Sequence, residues 1–157
     1  MLNEGKLGVG NTTQRDLWIT PPMLWSIVNK QYNFDFDCCA SVDNRKTELY
    51  SSDFESVQSV SGTAWMNPPF TIAKRMFTHF FKVVDKGVGI YRCDNLETLL
   101  WQNVIFKHAH WIFIPKGRIN YVEETFNSTQ ESPFPSALIG YNVPPIKNMQ
   151  GVLLIIK

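Results

Sequence analysis

The chain has 157 residues, of which 44% are hydrophobic and 18% charged, and its formal net charge is +1. These values are typical of one folded domain with a sizeable hydrophobic core, and they exclude an intrinsically disordered chain. Because the net charge is close to zero, the binding of a polyanion would depend on a local basic patch. The three cysteines, two of them adjacent, form no framework of spaced pairs and exclude a disulfide scaffold.

The N-terminal segment is polar and aperiodic, and we expect a flexible arm over residues 1–16, followed by one domain over residues 17–157. The segment lacks the apolar core of a signal peptide, and no apolar run is long enough to span a bilayer. We therefore expect a cytoplasmic protein without a membrane segment.

The first half of the domain alternates between helix and strand signals. Thr20 and the prolines after it predict the start of a short helix, with Thr20 as the N-cap. Alternating apolar residues predict a strand over residues 34–40, and KTELYS predicts a weaker second strand. A third strand, TAWM, runs directly into the stretch WMNPPF.

The second half continues the alternation. Helical spacing predicts an amphipathic helix over residues 71–86, capped by Thr71 and ended by Gly87. Further patterns predict a strand, a helix and a strand over residues 88–92, 95–107 and 110–115. The apolar runs SALIGY and GVLLIIK predict a final hairpin-like strand pair. Strands that alternate with helices predict an α/β fold with a mostly parallel sheet.

The stretch WMNPPF places an amide, two prolines and an aromatic ring directly after a strand. The Asn67 side-chain oxygen and the Pro68 carbonyl offer two acceptors to an exocyclic amino group on a planar ring, and prolines carry no competing N–H. Phe70 can stack on such a ring. Because the acceptors would disperse positive charge that develops on the nitrogen, the loop favours alkyl transfer to an aryl amine. The alternative is a turn that contains a Phe by chance.

Other polar side chains are predicted at the same edge of the sheet, since ligands collect where parallel strands end. The segment DCCAS and Asp53 follow the first two strands. Lys116 and Arg118 follow a later strand and are candidates for contacts with phosphates or bases. The three histidines do not group with cysteines at zinc spacing, so we expect no metal site.

The order of these motifs resembles that of the S-adenosyl-L-methionine-dependent amino-group DNA methyltransferases, specifically the phage-type N6-adenine methyltransferases of the Dam family. The resemblance covers most of residues 17–142, through WITPP, DFDCCAS, WMNPPF, KGRINY and SPFPSALIGY. It implies a Rossmann-like fold, with helices on both faces of a mostly parallel central sheet and a C-terminal antiparallel strand pair. It also implies S-adenosyl-L-methionine as methyl donor, no metal, and DNA as partner, in a bacterial host cell if the gene belongs to a phage.

The resemblance further implies roles for individual residues. The catalytic loop that holds a flipped adenine would consist of Asn67, Pro68, Pro69 and Phe70. The donor pocket, with its methionine end at the Thr-Pro element, would be lined by Thr20, Pro21, Asp37, Cys39, Ala40 and Asp53. The residues in contact with DNA would be Phe70, Lys116 and Arg118.

Some features depart from the family pattern. The donor loop CCASVDN lacks the usual Gly-x-Gly, and either Asp43 or Glu48 could bind the donor ribose. Sequence specificity would come from short loops, such as residues 116–135. The same chemistry suits RNA adenine or a protein glutamine amide, and a donor- or DNA-binding module without turnover is a further alternative. The target site and the oligomeric state, a monomer included, are left open.

Overall fold

The computed structural model of the protein describes residues 18–120, 122–123, 128–129 and 134–157. The arm predicted over residues 1–16 and parts of the loop predicted over residues 116–135 lie outside the described residues. The strands are β1 (Trp18–Ile19), β2 (Phe36–Asp37), β3 (Leu49–Tyr50), β4 (Val60–Met66), β5 (Val84–Arg92), β6 (Trp111–Pro115), β7 (Val122–Glu123), β8 (Ser128–Thr129), β9 (Ser136–Tyr141) and β10 (Gly151–Ile155). The helices are α1 (Pro22–Tyr32), α2 (Ala73–Val83) and α3 (Phe106–His108), with 3₁₀ turns at Phe54–Ser56 and Phe70–Ile72 and a π-helical segment at Leu100–Ile105.

Within the described residues, the strands form one sheet of seven and a small sheet of three. The order in the large sheet is β10-β6-β9-β5-β4-β2-β3, and in the small sheet β1-β7-β8. The strands β3, β2, β4 and β5 pair in parallel, whereas β9 runs antiparallel to both β5 and β6, and β10 antiparallel to β6. Three of these six pairings are parallel and three antiparallel, so the sheet is mixed and not mostly parallel as predicted, whereas the predicted α/β class is confirmed.

The helices α1 and α2 pack on opposite faces of this sheet. Trp25 of α1 contacts Trp65 of β4 edge-on, with ring centroids 5.5 Å apart. Trp65 is in register with Val88, so the side chain of Tyr91, three residues along β5, lies on the other face. There it meets Phe77 of α2 at 5.9 Å. A core on each face of the sheet fixes the positions of the loops at its edge.

The predicted pairing of the last two strands is wrong. β6 lies between β9 and β10 and is antiparallel to each, so these two strands run in the same direction and cannot form a hairpin. The connection over residues 142–150 contains Pro144 and Pro145 and is longer than a hairpin loop. Both runs are apolar in sequence, yet β9 is buried over residues 136–140 whereas β10 is exposed throughout.

Four predictions about the helices also need correction. The predicted helix over residues 71–86 is α2, which begins after a 3₁₀ turn, and Thr71 does not cap it. Gly87 does not end it but lies inside β5, where a side chain would collide with the Ala64 carbonyl. The helix predicted over residues 95–107 is a π-helical segment followed by the short α3. Thr20 is not the N-cap of α1, which is Pro21, without a side-chain cap.

The strand signals were also imprecise at their ends. The strand predicted over residues 34–40 is confined to β2, and the one predicted at residues 63–66 begins earlier, as β4. A shift of register in β4 lies beside Gly62, whose φ of 85° brings it against the Asp35 carboxylate. No helix among the described residues is both long and apolar enough to cross a membrane.

Candidate active site

A cleft of about 460 Å³ lies where the parallel strands β2 and β4 end. The predicted site residues that line it are Thr20, Asp37, Cys39, Ala40, Asp53, Asn67, Pro68, Pro69 and Phe70. Pro21, Lys116 and Arg118 are not part of its lining. The chain passes from β2 outward to β3 and then back to β4 on the other side of β2, so the cleft lies at a point where the strand order reverses. In open α/β sheets this is where ligands bind.

The Asn67 side chain is fixed by two hydrogen bonds. Its Nδ2 donates to the Trp18 carbonyl at 3.0 Å and to the Thr20 hydroxyl at 3.1 Å. Because a carbonyl can only accept, the amide nitrogen must face Trp18, and Oδ1 must face away from it. Oδ1 is buried and has no hydrogen-bond partner among the described residues. An unpaired buried acceptor lowers the stability of a protein by on the order of 1–3 kcal/mol. A ligand that donates a hydrogen bond to this oxygen would remove that penalty.

The two prolines differ in what their carbonyls do. The Pro69 carbonyl accepts from the Ile72 N–H at 3.2 Å and starts the 3₁₀ turn before α2. The Pro68 carbonyl accepts no hydrogen bond from any described residue. The loop therefore presents two acceptors without partners in the described chain, the Asn67 Oδ1 and the Pro68 carbonyl.

Phe70 belongs to an aromatic cluster at the same edge. Its ring meets Tyr91 at 5.3 Å and Phe134 at 5.2 Å, both edge-on, and only 9% of the residue is exposed. The Arg92 guanidinium lies 4.6 Å from the centroid of the Phe134 ring. Most of the Phe70 ring is therefore packed against other aromatic rings. Only its small exposed part could stack on a ligand, and that stacking stays a prediction.

Asp37 is a buried carboxylate at the end of β2, only 3% exposed. Its Oδ2 accepts from the Lys46 N–H at 2.9 Å, whereas Oδ1 has no hydrogen-bond partner. Burial raises the pKa of this carboxyl to about 6, and the backbone N–H groups of Lys46 and Cys39 and the charge of Lys46 only partly offset that effect. Burial also lowers the pKa of the Lys46 ammonium, which lines the cleft. The Oδ1 of Asp37 thus gives the cleft a third acceptor without a hydrogen-bond partner in the described part of the chain.

The loop after β2 keeps its shape through backbone hydrogen bonds. The Cys38 N–H donates to the Trp65 carbonyl and the Ala40 N–H to the Ser51 carbonyl, both at 2.9 Å. Ser51 N–H in turn donates to the Asp37 carbonyl at 3.0 Å. Burial raises the pKa of the Cys38 and Cys39 thiols, which favours the neutral form. The loop is thereby tied to the neighbouring strands although it lacks the usual glycines.

A family model described as DNA N-6-adenine-methyltransferase (Dam) matches residues 10–150. The chain belongs to the Dam family. This confirms the resemblance inferred from the motifs, and the match includes every residue named above for the cleft. No curated protein matches the chain.

The Dam-family chain offers further carboxylates at the rim of the cleft. Asp53 is exposed and its carboxylate accepts no hydrogen bond from a described residue, whereas Glu55 forms an ion pair with Arg75. Asp43 and Glu48, the two alternatives for a ribose partner, do not line the cleft. Of the three carboxylates Asp43, Glu48 and Asp53, Asp53 is the one that lines the cleft.

Lys116 and Arg118 follow β6, whose direction matches that of β4, so they leave the sheet at the same edge as the Asn-Pro-Pro-Phe loop. Both are exposed. The Arg92 guanidinium, hydrogen-bonded to Asp94, holds the pKa of that carboxyl below its usual value, and Arg118 adds to the effect. Positive charge is therefore present beside the cleft, at Arg92, Lys116 and Arg118, in addition to Lys46 and Arg75 in its lining.

Sequence reasoning missed several residues of this site. The Trp18 contact is made by a backbone carbonyl, which leaves no side-chain signal. Arg75 lies on the exposed face of α2 and pairs with Glu55 across the rim, a contact that no sequence pattern indicates. Lys46 belongs to no periodic pattern and to no motif in the sequence, so nothing indicated that it would line the cleft. Among the described residues, no group of three or more His, Cys, Asp or Glu side chains is placed to hold a metal ion.

Proposed function

We propose that this Dam-family chain transfers a methyl group from S-adenosyl-L-methionine to the N6 amino group of adenine in DNA. The observation that carries the proposal is the buried, unpaired Oδ1 of Asn67 beside the Pro68 carbonyl, in a chain of this family. The amino group of adenine has two N–H donors and lies in the plane of a ring. Two acceptors in one rigid loop are what such a group needs when it is removed from water.

The loop would act on the amino group by electrostatics. The lone pair of an aryl amine is delocalised into the ring, and positive charge develops on the nitrogen as the new C–N bond forms. Two fixed acceptors, the Asn67 Oδ1 and the Pro68 carbonyl, stabilise that charge without having to reorganise. An amide is not a base, so the additional proton leaves to solvent after transfer. The prolines hold the loop rigid and contribute no competing donor.

The residues on the other side of the cleft fit the donor. S-adenosyl-L-methionine supplies an electrophilic methyl group on a sulfonium, and it also carries an ammonium group and ribose hydroxyls. The unpaired Oδ1 of Asp37 is suited to a cationic or hydroxyl donor. Asp53 offers a second carboxylate at the rim. Cys39 and Ala40 complete this side of the pocket, and Thr20, next to Pro21, also lines it.

The order of the strands supports a Rossmann-like methyltransferase domain. The block β3-β2-β4-β5 is parallel, and the cleft lies at its carboxyl edge where the order reverses. A base in a duplex would have to leave the stack to reach Asn67, at a cost of a few kcal/mol. The exposed Lys116 and Arg118, which leave the sheet at the same edge, would contact the phosphates around such a base. The protein would act in the cytoplasm, where bacterial DNA lies.

The test is a methyl-transfer assay with an isotope-labelled donor. DNA without N6-methyladenine, RNA of the same sequence, and a protein mixture are each incubated with the protein, digested and examined by mass spectrometry. The expected product is labelled N6-methyladenine in DNA. Label in N4-methylcytosine, in RNA or in glutamine would contradict the proposed acceptor. Tight donor binding without transfer to any of the substrates would indicate a binding module.

A further inference from the structure

We propose that the Trp18 carbonyl and the Thr20 hydroxyl are positioning groups that hold the Asn67 amide with its oxygen toward the substrate. The inference rests on the proposed function, since it assigns the amide the role of acceptor. It adds a task for the segment before α1, which the motif resemblance assigned only to the methyl donor.

An asparagine amide has two orientations of nearly the same shape, related by a half-turn about its last side-chain bond. In one of them Oδ1 can accept from a substrate N–H. In the other, Nδ2 would present its own N–H groups to the substrate, donor against donor. A loop that relies on Asn67 as an acceptor must therefore exclude the second orientation.

The Trp18 carbonyl excludes the reversed orientation of the Asn67 amide. In the reversed orientation Oδ1 would lie about 3.0 Å from the Trp18 oxygen, so that two acceptors would face each other. The Thr20 hydroxyl alone could not exclude the reversed orientation, because a hydroxyl rotates and can either donate or accept. Its hydroxyl instead binds the second N–H of the amide at 3.1 Å. Together the two groups occupy both N–H groups and leave Oδ1 as the unpaired atom.

Among the described residues, no helix cap and no other side-chain hydrogen bond explains why the polar Thr20 is buried. Only 1% of the residue is exposed, although threonine is a polar side chain. It does not cap α1, which begins at Pro22 after Pro21 as the cap residue. Among the described residues, Asn67 is the hydrogen-bond partner of its side chain.

The segment that supplies both groups is itself held in place. Trp18 and Ile19 form β1, which pairs with β7 in the small sheet. The Trp18 ring meets Phe134 edge-on at 6.1 Å, and Phe134 in turn contacts Phe70. The same segment thus supports Asn67 through hydrogen bonds and Phe70 through packing, at both ends of the Asn-Pro-Pro-Phe loop.

This arrangement also selects asparagine over aspartate at position 67. A carboxylate has no N–H, so an aspartate in place of Asn67 would set a charged oxygen against the Trp18 carbonyl. We therefore expect Asn67→Asp to lose most of its turnover, although the two side chains have almost the same shape.

The experiment compares Thr20→Val, which removes the hydroxyl at nearly constant shape, with Thr20→Ser, which keeps it. Three quantities are measured: kcat at saturating donor and DNA, the Kd of S-adenosyl-L-methionine, and the exchange of the Asn67 side-chain N–H groups with water by NMR. The last readout needs neither donor nor DNA. Thermal unfolding of each variant shows whether it folds.

We expect Thr20→Val to lower kcat by roughly tenfold or more, the effect of about 1.4 kcal/mol in the transition state, while the donor Kd changes by less than about threefold. The Asn67 N–H groups should exchange faster in this variant. Thr20→Ser should restore most of kcat and the slow exchange.

If Thr20→Val is too unstable to assay, Asn67→Asp tests the same orientation, and wild-type turnover in that variant would contradict the proposal.

Two results would overturn the inference. A Thr20→Val variant with wild-type kcat would show that the hydroxyl is not needed. A loss of donor affinity as large as the loss of kcat would show that Thr20 acts on the donor rather than on Asn67. Failure of the proposed function would be distinguished by the wild type, which would then leave adenine in DNA unmethylated.

Discussion

The side-chain nitrogen of Asn67 lies 3.1 Å from the hydroxyl oxygen of Thr20, which precedes it by 47 residues in the chain. Two proline-containing segments, one before α1 and one after β4, are joined by this contact at the edge of the cleft. The first segment fixes the second, and the second presents an unpaired acceptor.

Asp37 should make the stability of the protein depend on pH. Its pKa is raised from 3.8 to about 6, so between these values the folded protein holds a proton that the unfolded chain has released. The free energy of unfolding therefore falls as pH rises through this window. A shift of about two pKa units corresponds to roughly 3 kcal/mol. We expect Asp37→Asn to gain stability relative to the wild type from pH 4 to pH 7, by up to about that amount.

Urea unfolding of the wild type and of Asp37→Asn at several pH values, without donor, measures this difference. Asp53→Asn is the matched control, since Asp53 is an exposed carboxylate at the rim of the same cleft. A difference between wild type and Asp37→Asn that stays constant with pH would contradict the buried, partly unpaired carboxylate.

Phe70 should affect the binding of DNA more than that of the donor. Phe70→Ala is unsuitable alone, since removing a buried phenylalanine costs about 3–5 kcal/mol of stability. Phe70→Leu keeps most of the volume and removes the ring. Stacking contributes about 1–3 kcal/mol per base, and since most of this ring is packed we expect the lower part of that range, roughly a tenfold rise in the Kd for DNA.

Fluorescence anisotropy with labelled DNA and calorimetry with the donor measure the two affinities. Phe106→Leu is a suitable control, because Phe106 packs on Trp101 away from the cleft. Equal losses of DNA and donor affinity in Phe70→Leu would argue for a packing role only.

Arg118 and Lys116 should contribute to the binding of phosphates. Each substitution to alanine should weaken DNA binding and reduce the slope of log Kd against log salt by about 1. Lys82→Ala is the control, because Lys82 is exposed near the end of α2, where β5 begins at the opposite edge of the sheet. A slope that is the same in all three variants and the wild type would exclude both residues from the interface.

Gly140 should be intolerant of a side chain for a reason of packing alone. A Cβ at this position would overlap the ring of Trp111. Overpacking in a core usually costs about 1–3 kcal/mol, and we expect Gly140→Ala to reach or exceed that range. Adding Trp111→Phe should recover part of the loss, since the smaller ring leaves space. Denaturant unfolding of the single and double variants tests this, and strictly additive losses would contradict the close approach.

Much of the site could be predicted because its signals are local. Tandem prolines end a strand by stereochemistry, which placed Asn67 at the end of β4. Alternation of apolar residues placed Asp37 within another strand, predicted over residues 34–40, and the structure ends that strand at Asp37. The order of these motifs along the chain then carried the family assignment.

What could not be predicted depends on contacts between distant parts of the chain. The carbonyl of Trp18 belongs to the backbone and carries no residue-type signal for its contact with Asn67. Gly87 was expected to end a helix, but the Ala64 carbonyl and the Phe80 ring occupy the space beside it in the sheet. The last two apolar runs look alike in sequence, and only the position of β6 between them decides that they do not pair.

The central claim is that the Asn67 oxygen accepts from the amino group that becomes methylated. The most direct test is the single-turnover rate of methyl transfer to adenine in DNA by Asn67→Ala, at saturating donor and DNA, beside the control Asn103→Ala, an exposed asparagine outside the cleft. Two hydrogen bonds are lost in Asn67→Ala but an unpaired buried oxygen is removed as well, so stability should change little.

We expect Asn67→Ala to transfer methyl groups on the order of 10²–10³ times more slowly, the effect of removing one preorganised group from a transition state. Its donor Kd and thermal stability should stay close to those of the wild type, and Asn103→Ala should behave like the wild type throughout. Transfer by Asn67→Ala at the wild-type rate would contradict the account. So would a variant that loses donor binding and stability together with turnover, since the residue would then support the fold and not the reaction.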